Sequence, residues 1–469
     1  MKHYKLLIGG KLVDGAAEMA VVNPATGEPF QTAPRASAAQ LNEAVAAAKA
    51  AYPAWAECAV QVRADKLRAL AAAIESELLE FSETLTREQG KPLAQARVEM
   101  MTAVYSFKTF ASMDLAPRVL REDEHSSIVE YRSPLGVVAA ITPWNFPVML
   151  LVNKMAPALL AGNTIVIKPA PTTPLTTLLL GELCAGIFPA GVVNVITDAN
   201  DLGAALTSHP DVAKVSFTGS TATGKKVLSS VSPSLKRVTL ELGGNDAALI
   251  LDDVDVKSVA AKIYNAATYN AGQICVAVKR VYVPAAKYDE FCDELARLAT
   301  AAIVGDGFEE TTQVGPIQNC AQFEKVKQLL REAAASGKVI AGGQALDRPG
   351  YFVPPTIIRD VLDDASIVAD EQFSPILPVL RYADLDDAIA RVNDSVYGLA
   401  GSVWGQDLER AQQVAQRIES GTVWVNSHMG LDPLIPFRGA KQSGMGVELG
   451  QEGLHEYTQA RVVNVSKAS

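Results

Sequence analysis

The chain has 469 residues, too many for one hydrophobic core, so two or three domains are expected. Hydrophobic residues make up 49% and charged residues 20%, with a formal net charge of −10, the balance of an acidic globular protein. That charge, with no Lys/Arg run anywhere, argues against a nucleic acid or an anionic membrane as partner.

The opening MKHYKLLIGGKLVDG holds no long apolar segment, and no signal peptide is expected. Residues 1–30 then read as short strands and turns. From Ala38 to about Ala116 the pattern is helical, rich in Ala, Leu and Glu, with Gly90 as a stop. Residues 117–136 turn extended. From Gly136 short apolar strands alternate with helices: GVVAAI, TIVIK, VVNVIT, KVSFTG and RVTLEL. That alternation predicts parallel βαβ units and a doubly wound, Rossmann-like sheet, in which ligands bind beyond the carboxyl ends of the strands. The most apolar region, Leu135 to Ile167, is broken by Pro143, Asn145, Pro147, Asn153, Lys154 and Pro157, so no membrane span is expected. A second α/β stretch starts near Asn245 and runs to VWVN at 423–426, followed by a Pro- and Gly-rich loop. The tail ARVVNVS is extended and apolar, with no partner near it in the chain.

Five cysteines (Cys58, Cys184, Cys275, Cys292 and Cys320) are widely spaced and odd in number, which speaks against a disulfide framework and for a reducing, cytoplasmic compartment. The five histidines show no metal-ligand spacing and there is no CxxC, so no metal is expected.

The polar loops after the strands carry the chemistry. A helical pattern (Val259, Ile263, Ala266, Ala267) runs into Asn270 and Gly272, which break it, and Cys275 follows on a loop before the strand at Val278–Val283. A free cysteine is as readily a small buried hydrophobe as a nucleophile. Asn145, on the turn Pro143-Trp144-Asn145-Phe146-Pro147, offers an amide to an oxyanion or simply completes the turn. Lys168 ends an apolar strand, facing sugar hydroxyls, phosphate or solvent. Phe217-Thr218-Gly219-Ser220 leads from a strand into a helix, where an anion is favoured, although a plain strand-to-helix turn fits equally. Glu241 lies at the end of a strand before Leu242-Gly243-Gly244. Burial there would raise its pKa toward the range of a general base, and a partnered structural glutamate is the other reading.

Taken in order, Pro143-Trp144-Asn145-Phe146-Pro147, Lys168-Pro169-Ala170, Phe217-Thr218-Gly219-Ser220, Glu241-Leu242-Gly243-Gly244, Gly272-Gln273-Ile274-Cys275, Glu371-Gln372-Phe373 and Pro436-Phe437 through Ser443-Gly444 resemble the aldehyde dehydrogenase superfamily over essentially the whole chain. The resemblance implies oxidation of an aldehyde to its acid with NAD, or with NADP. It assigns Cys275 as nucleophile, Asn145 with the Cys275 N–H as oxyanion donors, and Glu241 as the base that activates water against a thioester. Thr142, Trp144, Lys168, Gly219, Ser220, Leu242, Glu371 and Phe373 would hold the cofactor. Phe146, Met149, Asn153, Tyr269, Ile274, Val276 and Phe437 would line the path of a small to medium aliphatic, aromatic or semialdehyde substrate. It implies a cofactor domain of residues 1–116 and 137–244 and a catalytic domain of residues 245–442. Residues 117–136 and 458–469 would form an arm that joins a homodimer or homotetramer.

Three departures from the family pattern stand out. Ser374 replaces a glycine after Glu371-Gln372-Phe373, and is strained if that position needs a positive φ. Arg438 follows Phe437 in place of glycine. Pro171 stands where a glutamate often selects NAD; with no Arg or Lys nearby to pair a 2′-phosphate, NAD is still the expected cofactor. Arg438 or His428 would hold a substrate carboxylate if either faced the substrate; surface solvation is the expected state of both. Among rivals, a CoA-acylating relative typically lacks the carboxylate at Glu241. A structural protein of the same fold tends to lose its nucleophile or cofactor residues. A thiol acyltransferase would use Cys275 with no redox step.

Overall fold

In the computed structural model, which describes residues 2–467, two largely parallel sheets carry the chain. The first runs in the spatial order Lys11–Val13, Leu6–Ile8, Val193–Val195, Thr164–Lys168, Val137–Ile141, Val212–Thr218, Arg237–Glu241 and Gly444–Met445. Its five middle strands are parallel. Every residue of Val137–Ile141 and Thr164–Lys168 is buried, so these strands read as continuous apolar runs rather than alternating ones. The chain adds strands to one side of Val137–Ile141 and then returns to its other side with Val212–Thr218. That reversal opens the crevice typical of a doubly wound sheet. Four helices between Ala38 and Phe110 precede it, the last of them Leu93–Phe110.

The second sheet has the order Lys338–Ala341, Thr356–Arg359, Ile376–Tyr382, Arg280–Pro284, Ala247–Ile250, Ala400–Trp404 and Thr422–Val425, parallel except at its first pair. Gly444–Met445 crosses back to pair with Leu240–Glu241 in the first sheet.

The tail does have a partner within the chain. Thr458–Ser466 runs antiparallel along Ser126–Pro134 for nine residue pairs, from Thr458 opposite Pro134 to Ser466 opposite Ser126. Arg118–Glu122 adds a third strand. Local sequence hides this pairing because the two segments are far apart in the chain. Residues 468 and 469 of the expected arm lie outside the described residues. Among those described, no helix is long and apolar enough to cross a membrane.

Candidate active site

Cys275 sits where the two sheets meet. Helix Val256–Thr268, capped by Asp255 through Ser258 N–H, leads into a 3₁₀ turn at Tyr269–Gly272. Asn270 and Ala271 hold φ of 51° and 54° there, a left-handed conformation that non-glycine residues adopt only when their surroundings enforce it. Ile274, Val276 and Ala277 beside the cysteine pack into the core of the first sheet, whereas the preceding helix packs into that of the second. From below, Lys279 Nζ donates to the carbonyls of Ile274 at 2.6 Å and Cys275 at 2.9 Å. Burial pushes the Cys275 thiol up to about 12, and the Lys279 cation offsets part of that rise.

The turn carrying Asn145 is laced to this loop. Asn145 Nδ2 donates to the Gln273 carbonyl at 2.9 Å, and Asn270 Nδ2 donates to the Asn145 carbonyl at 3.0 Å. One amide hydrogen of Asn145 is thereby fixed, and its Oδ1 is buried with no partner.

Glu241 ends its strand with both carboxylate oxygens buried and unpartnered. Its carboxyl is pushed well above the usual range, chiefly by burial, then by the nearby Glu448 charge, with Lys154 opposing. Lys154 Nζ in turn donates to Thr218 Oγ1 at 2.6 Å and pairs with Glu448. An unpartnered carboxyl of raised pKa at the end of a strand becomes, once ionised, a stronger base than an ordinary carboxylate.

A cleft of about 210 Å³ gathers Pro143, Trp144, Asn145, Thr218, Gly219, Ser220, Leu242, Gly243, Cys275, Gln322, Lys325, Glu371 and Phe373 around one space. It unites eight of the predicted site residues: Trp144, Asn145, Gly219, Ser220, Leu242, Cys275, Glu371 and Phe373. A Cβ on Gly219 would stand 2.5 Å from the Phe217 ring, so the glycine is what lets that ring pack against the backbone. Ser220 caps the helix Thr221–Val231 through Thr223 N–H, leaving a helix N-terminus of suitable polarity for an anion. Glu371 Oε1 accepts from Gly244 N–H at 3.1 Å, and Trp144 meets Phe373 edge-on with ring centroids 5.3 Å apart. Ser374 has no positive φ, so it is free of the strain that such a backbone would impose; the positive φ of this stretch is at Phe373, 52°. Gln322 and Lys325 were not foreseen. Gln322 Nε2 donates to the Phe373 carbonyl at 3.0 Å, and both residues lie on the polar face of helix Cys320–Ser336, where nothing local marks them.

Lys168 lies outside this cleft. It lines a second cavity of about 470 Å³ with Gly203, Thr207, Thr223 and Lys226. Its Nζ is already paired with the buried Asp198 Oδ1 at 2.7 Å. Lys226 shares the cavity, so a second cation does stand near Lys168, brought there by the helix after Ser220. Thr142 is buried with its N–H on the Lys168 carbonyl at 3.2 Å and its hydroxyl unpartnered. The helix N-terminus at Ser220 suits the pyrophosphate of a dinucleotide, and the cavity beside Lys168 suits a ribose, so the residues present fit a nicotinamide cofactor.

Phe146, Met149, Asn153, Tyr269, Ile274, Val276 and Phe437 line neither cavity. Met149 and Asn153 share one face of helix Met149–Ala161. Phe437 is held by a backbone pair with Glu448. Burial pushes the Tyr269 hydroxyl up to about 12. His428 is buried rather than solvated: its ring bonds the Val276 carbonyl and Ser402 Oγ, each at 2.9 Å. Arg438 is half-exposed and paired with Glu452 at 2.5 Å.

Comparison with known proteins gives a consistent result. The model of the aldehyde dehydrogenase family matches residues 12–463. Aldehyde dehydrogenase LUC3 of a Fusarium species is 38% identical over 464 residues, covering 98% of either chain. Betaine aldehyde dehydrogenase from Staphylococcus aureus in complex with NAD+ superposes with a TM-score of 0.96 at 31% identity, over 100% of this chain and 96% of its own. A structure described as an NADP-dependent enzyme of E. coli gives a TM-score of 0.96 at 35% identity, over 99% and 98%.

Proposed function

The chain belongs to the aldehyde dehydrogenase family, and from that premise we propose that it oxidises an aldehyde to the carboxylic acid with Cys275 as nucleophile, Asn145 as oxyanion donor and Glu241 as base. The observation that carries this reading is the cleft in which Cys275, Asn145, Glu371 and Phe373 meet at the end of the strand bearing Glu241.

The Cys275 sulfur attacks the aldehyde carbon, and the carbonyl oxygen becomes an oxyanion. The free amide hydrogen of Asn145 and the Cys275 N–H stabilise it; losing one such donor typically costs ~2.7–4 kcal/mol of transition-state stabilisation. A bound nicotinamide cofactor would supply the hydride acceptor that lets the thiohemiacetal become a thioester. Glu241 then takes a proton from water, and the resulting hydroxide displaces the sulfur and frees the acid. Glu371 and Phe373 orient the ribose end of the cofactor, and Ser220 with the Gly219 backbone holds its pyrophosphate.

NAD+ is the favoured cofactor. Asp198 already neutralises Lys168, which suits ribose hydroxyls better than a phosphate, and Lys226 is the one additional cation of that cavity. The family pattern, in which the apolar Phe146, Met149, Ile274, Val276 and Phe437 would line the substrate path, favours a small to medium aliphatic or aromatic aldehyde, and a carboxylate-bearing semialdehyde is less favoured because His428 and Arg438 are already bonded. Residues 1–116 with 137–244 form the cofactor domain and residues 245–442 the catalytic one. The ribbon of Arg118–Glu122, Ser126–Pro134 and Thr458–Ser466, with Val119, Leu120, Val462 and Val465 exposed, is the surface on which copies join as a homodimer or homotetramer. All five cysteines are free, which fits the cytoplasm. An aldehyde panel run in parallel with NAD+ and NADP+, followed by NADH or NADPH absorbance, tests the reading; no reduction with any aldehyde overturns it.

A further inference from the structure

A buried ion pair that the reaction does not consume lies under the Asn145 turn. Lys91 and Glu99 pair with no side-chain exposure on either partner. Lys91 Nζ also donates to the Asn145 carbonyl at 2.9 Å and sits 3.7 Å from the centre of the Phe146 ring. Glu99 Oε1 accepts from the N–H groups of Val148 at 3.1 Å and Met149 at 3.2 Å, the first donors of the helix that follows the turn. One pair of opposite charges thus holds the turn at its middle and at the start of the helix that follows it.

The same helix reaches the cysteine side. Gln95, one helical turn before Glu99, accepts from Asn270 N–H at 3.1 Å, and Asn270 donates to the Asn145 carbonyl from the other direction. Helix Leu93–Phe110 therefore presents one face to both loops, the one with the amide and the one with the sulfur. Stability alone does not account for such a pair. Desolvating two charges is costly, and an apolar pair of the same volume is commonly no less stable. A charged pair does fix direction, because its hydrogen bonds hold only in one geometry.

Resting on the reading of Asn145 as oxyanion donor, we propose that Lys91 and Glu99 are positioning residues that set the Asn145 amide against the Cys275 sulfur. Neither touches substrate or cofactor. Their contribution is to prevent the amide from tilting as charge develops on the aldehyde oxygen, where a small misplacement is expensive.

The test uses the full chain carrying Lys91→Met together with Glu99→Gln. That double variant leaves no lone buried charge and keeps an acceptor on the Val148 and Met149 donors. The expected result is a fall in kcat of about 10- to 100-fold, part of the loss seen when an oxyanion donor is deleted outright, with KM for NAD+ unchanged. Alkylation of Cys275 by iodoacetamide, which develops no oxyanion on a carbonyl, proceeds at the wild-type rate. A wild-type kcat in the double variant overturns the proposal, as does a parallel loss of iodoacetamide reactivity, which would mark general disruption. Should the wild-type protein oxidise no aldehyde, the functional reading fails. The clamp is then judged by a crystal structure of the double variant, where an unmoved Asn145 turn overturns it.

Discussion

Glu371 lies so close to Gly243 that a Cβ on that glycine would stand 2.3 Å from its Oε2. The glycine is what lets the carboxylate reach across from the second sheet to the Gly244 N–H, beside the strand end that carries Glu241. Gly243→Ala is expected to push Glu371 aside and raise KM for the cofactor by about tenfold, the cost of one lost hydrogen bond to a charged group, with little change in Tm. Steady-state kinetics with the cofactor varied will measure this, and an unchanged KM would remove Glu371 from the cofactor site.

Replacing the nucleophile separates binding from chemistry. Cys275→Ser should lower NADH formation by at least about a thousandfold. A fluorescence titration should still show cofactor binding, since the cleft is lined largely by other residues. Turnover at the wild-type rate would end the covalent mechanism.

Glu241→Gln should leave the first, acylating turnover largely intact and slow the release of acid. A burst of NADH followed by a slow steady rate is the kinetic signature, and mass spectrometry of quenched enzyme should show the acyl adduct on Cys275. An adduct-free spectrum in the steady state would refute the assignment of the base.

Both reacting groups carry pKa values raised by burial, Cys275 to about 12 and Glu241 well above the usual carboxyl range. Each must lose its proton to act, so the rate should climb as pH rises above the ordinary carboxyl range. The steady state of Glu241→Gln should lose the limb due to the carboxyl while its burst keeps the limb due to the thiol. A wild-type profile that is flat or falling above that range would contradict the reading.

Glu88 offers a test of stability that is independent of catalysis. It is buried without a cation and accepts from the N–H groups of Leu175 and Thr176 and the Thr176 hydroxyl, capping a helix. Burial raises its pKa to about 7, against the opposing pull of those hydrogen bonds. Between the ordinary carboxyl range and that value, the folded chain keeps a proton that the unfolded chain has released. Stability from this group is therefore fully present below the unfolded pKa and is lost as pH rises through the folded one, by at most about 3 kcal/mol. The Tm deficit of Glu88→Gln should be largest near pH 5 and shrink toward pH 8, as read by thermal melts; a deficit that grows with pH would contradict this.

The sequence made the scaffold legible wherever burial was continuous. Strands such as Val137–Ile141 and Thr164–Lys168 are buried at every position, so their apolar runs and the polar loops after them identify themselves. The site candidates were marked by motif, and the cleft brings eight of them together. The supporting residues were not so marked. Lys91, Glu99, Lys154 and Lys279 are polar residues whose partners lie on other elements, and no local period marks a buried cation. Asp198, which holds Lys168, and the ribbon partner of the tail are invisible for the same reason: their meaning exists only in the folded register. Whether the position of Ser374 needs a positive φ was not legible either, since a motif names a bend without saying which residue absorbs it; here that residue is Phe373.

The strand that bears Glu241 gains its outer neighbour only from Gly444–Met445, and the lysine beneath it gains its counter-ion only from Glu448. The corner of the fold around Glu241 therefore forms only once segments far apart in the chain have met. Loss of the pairing at Gly444–Met445 would thus loosen the surroundings of Glu241 from a distance, without touching the strand that bears it.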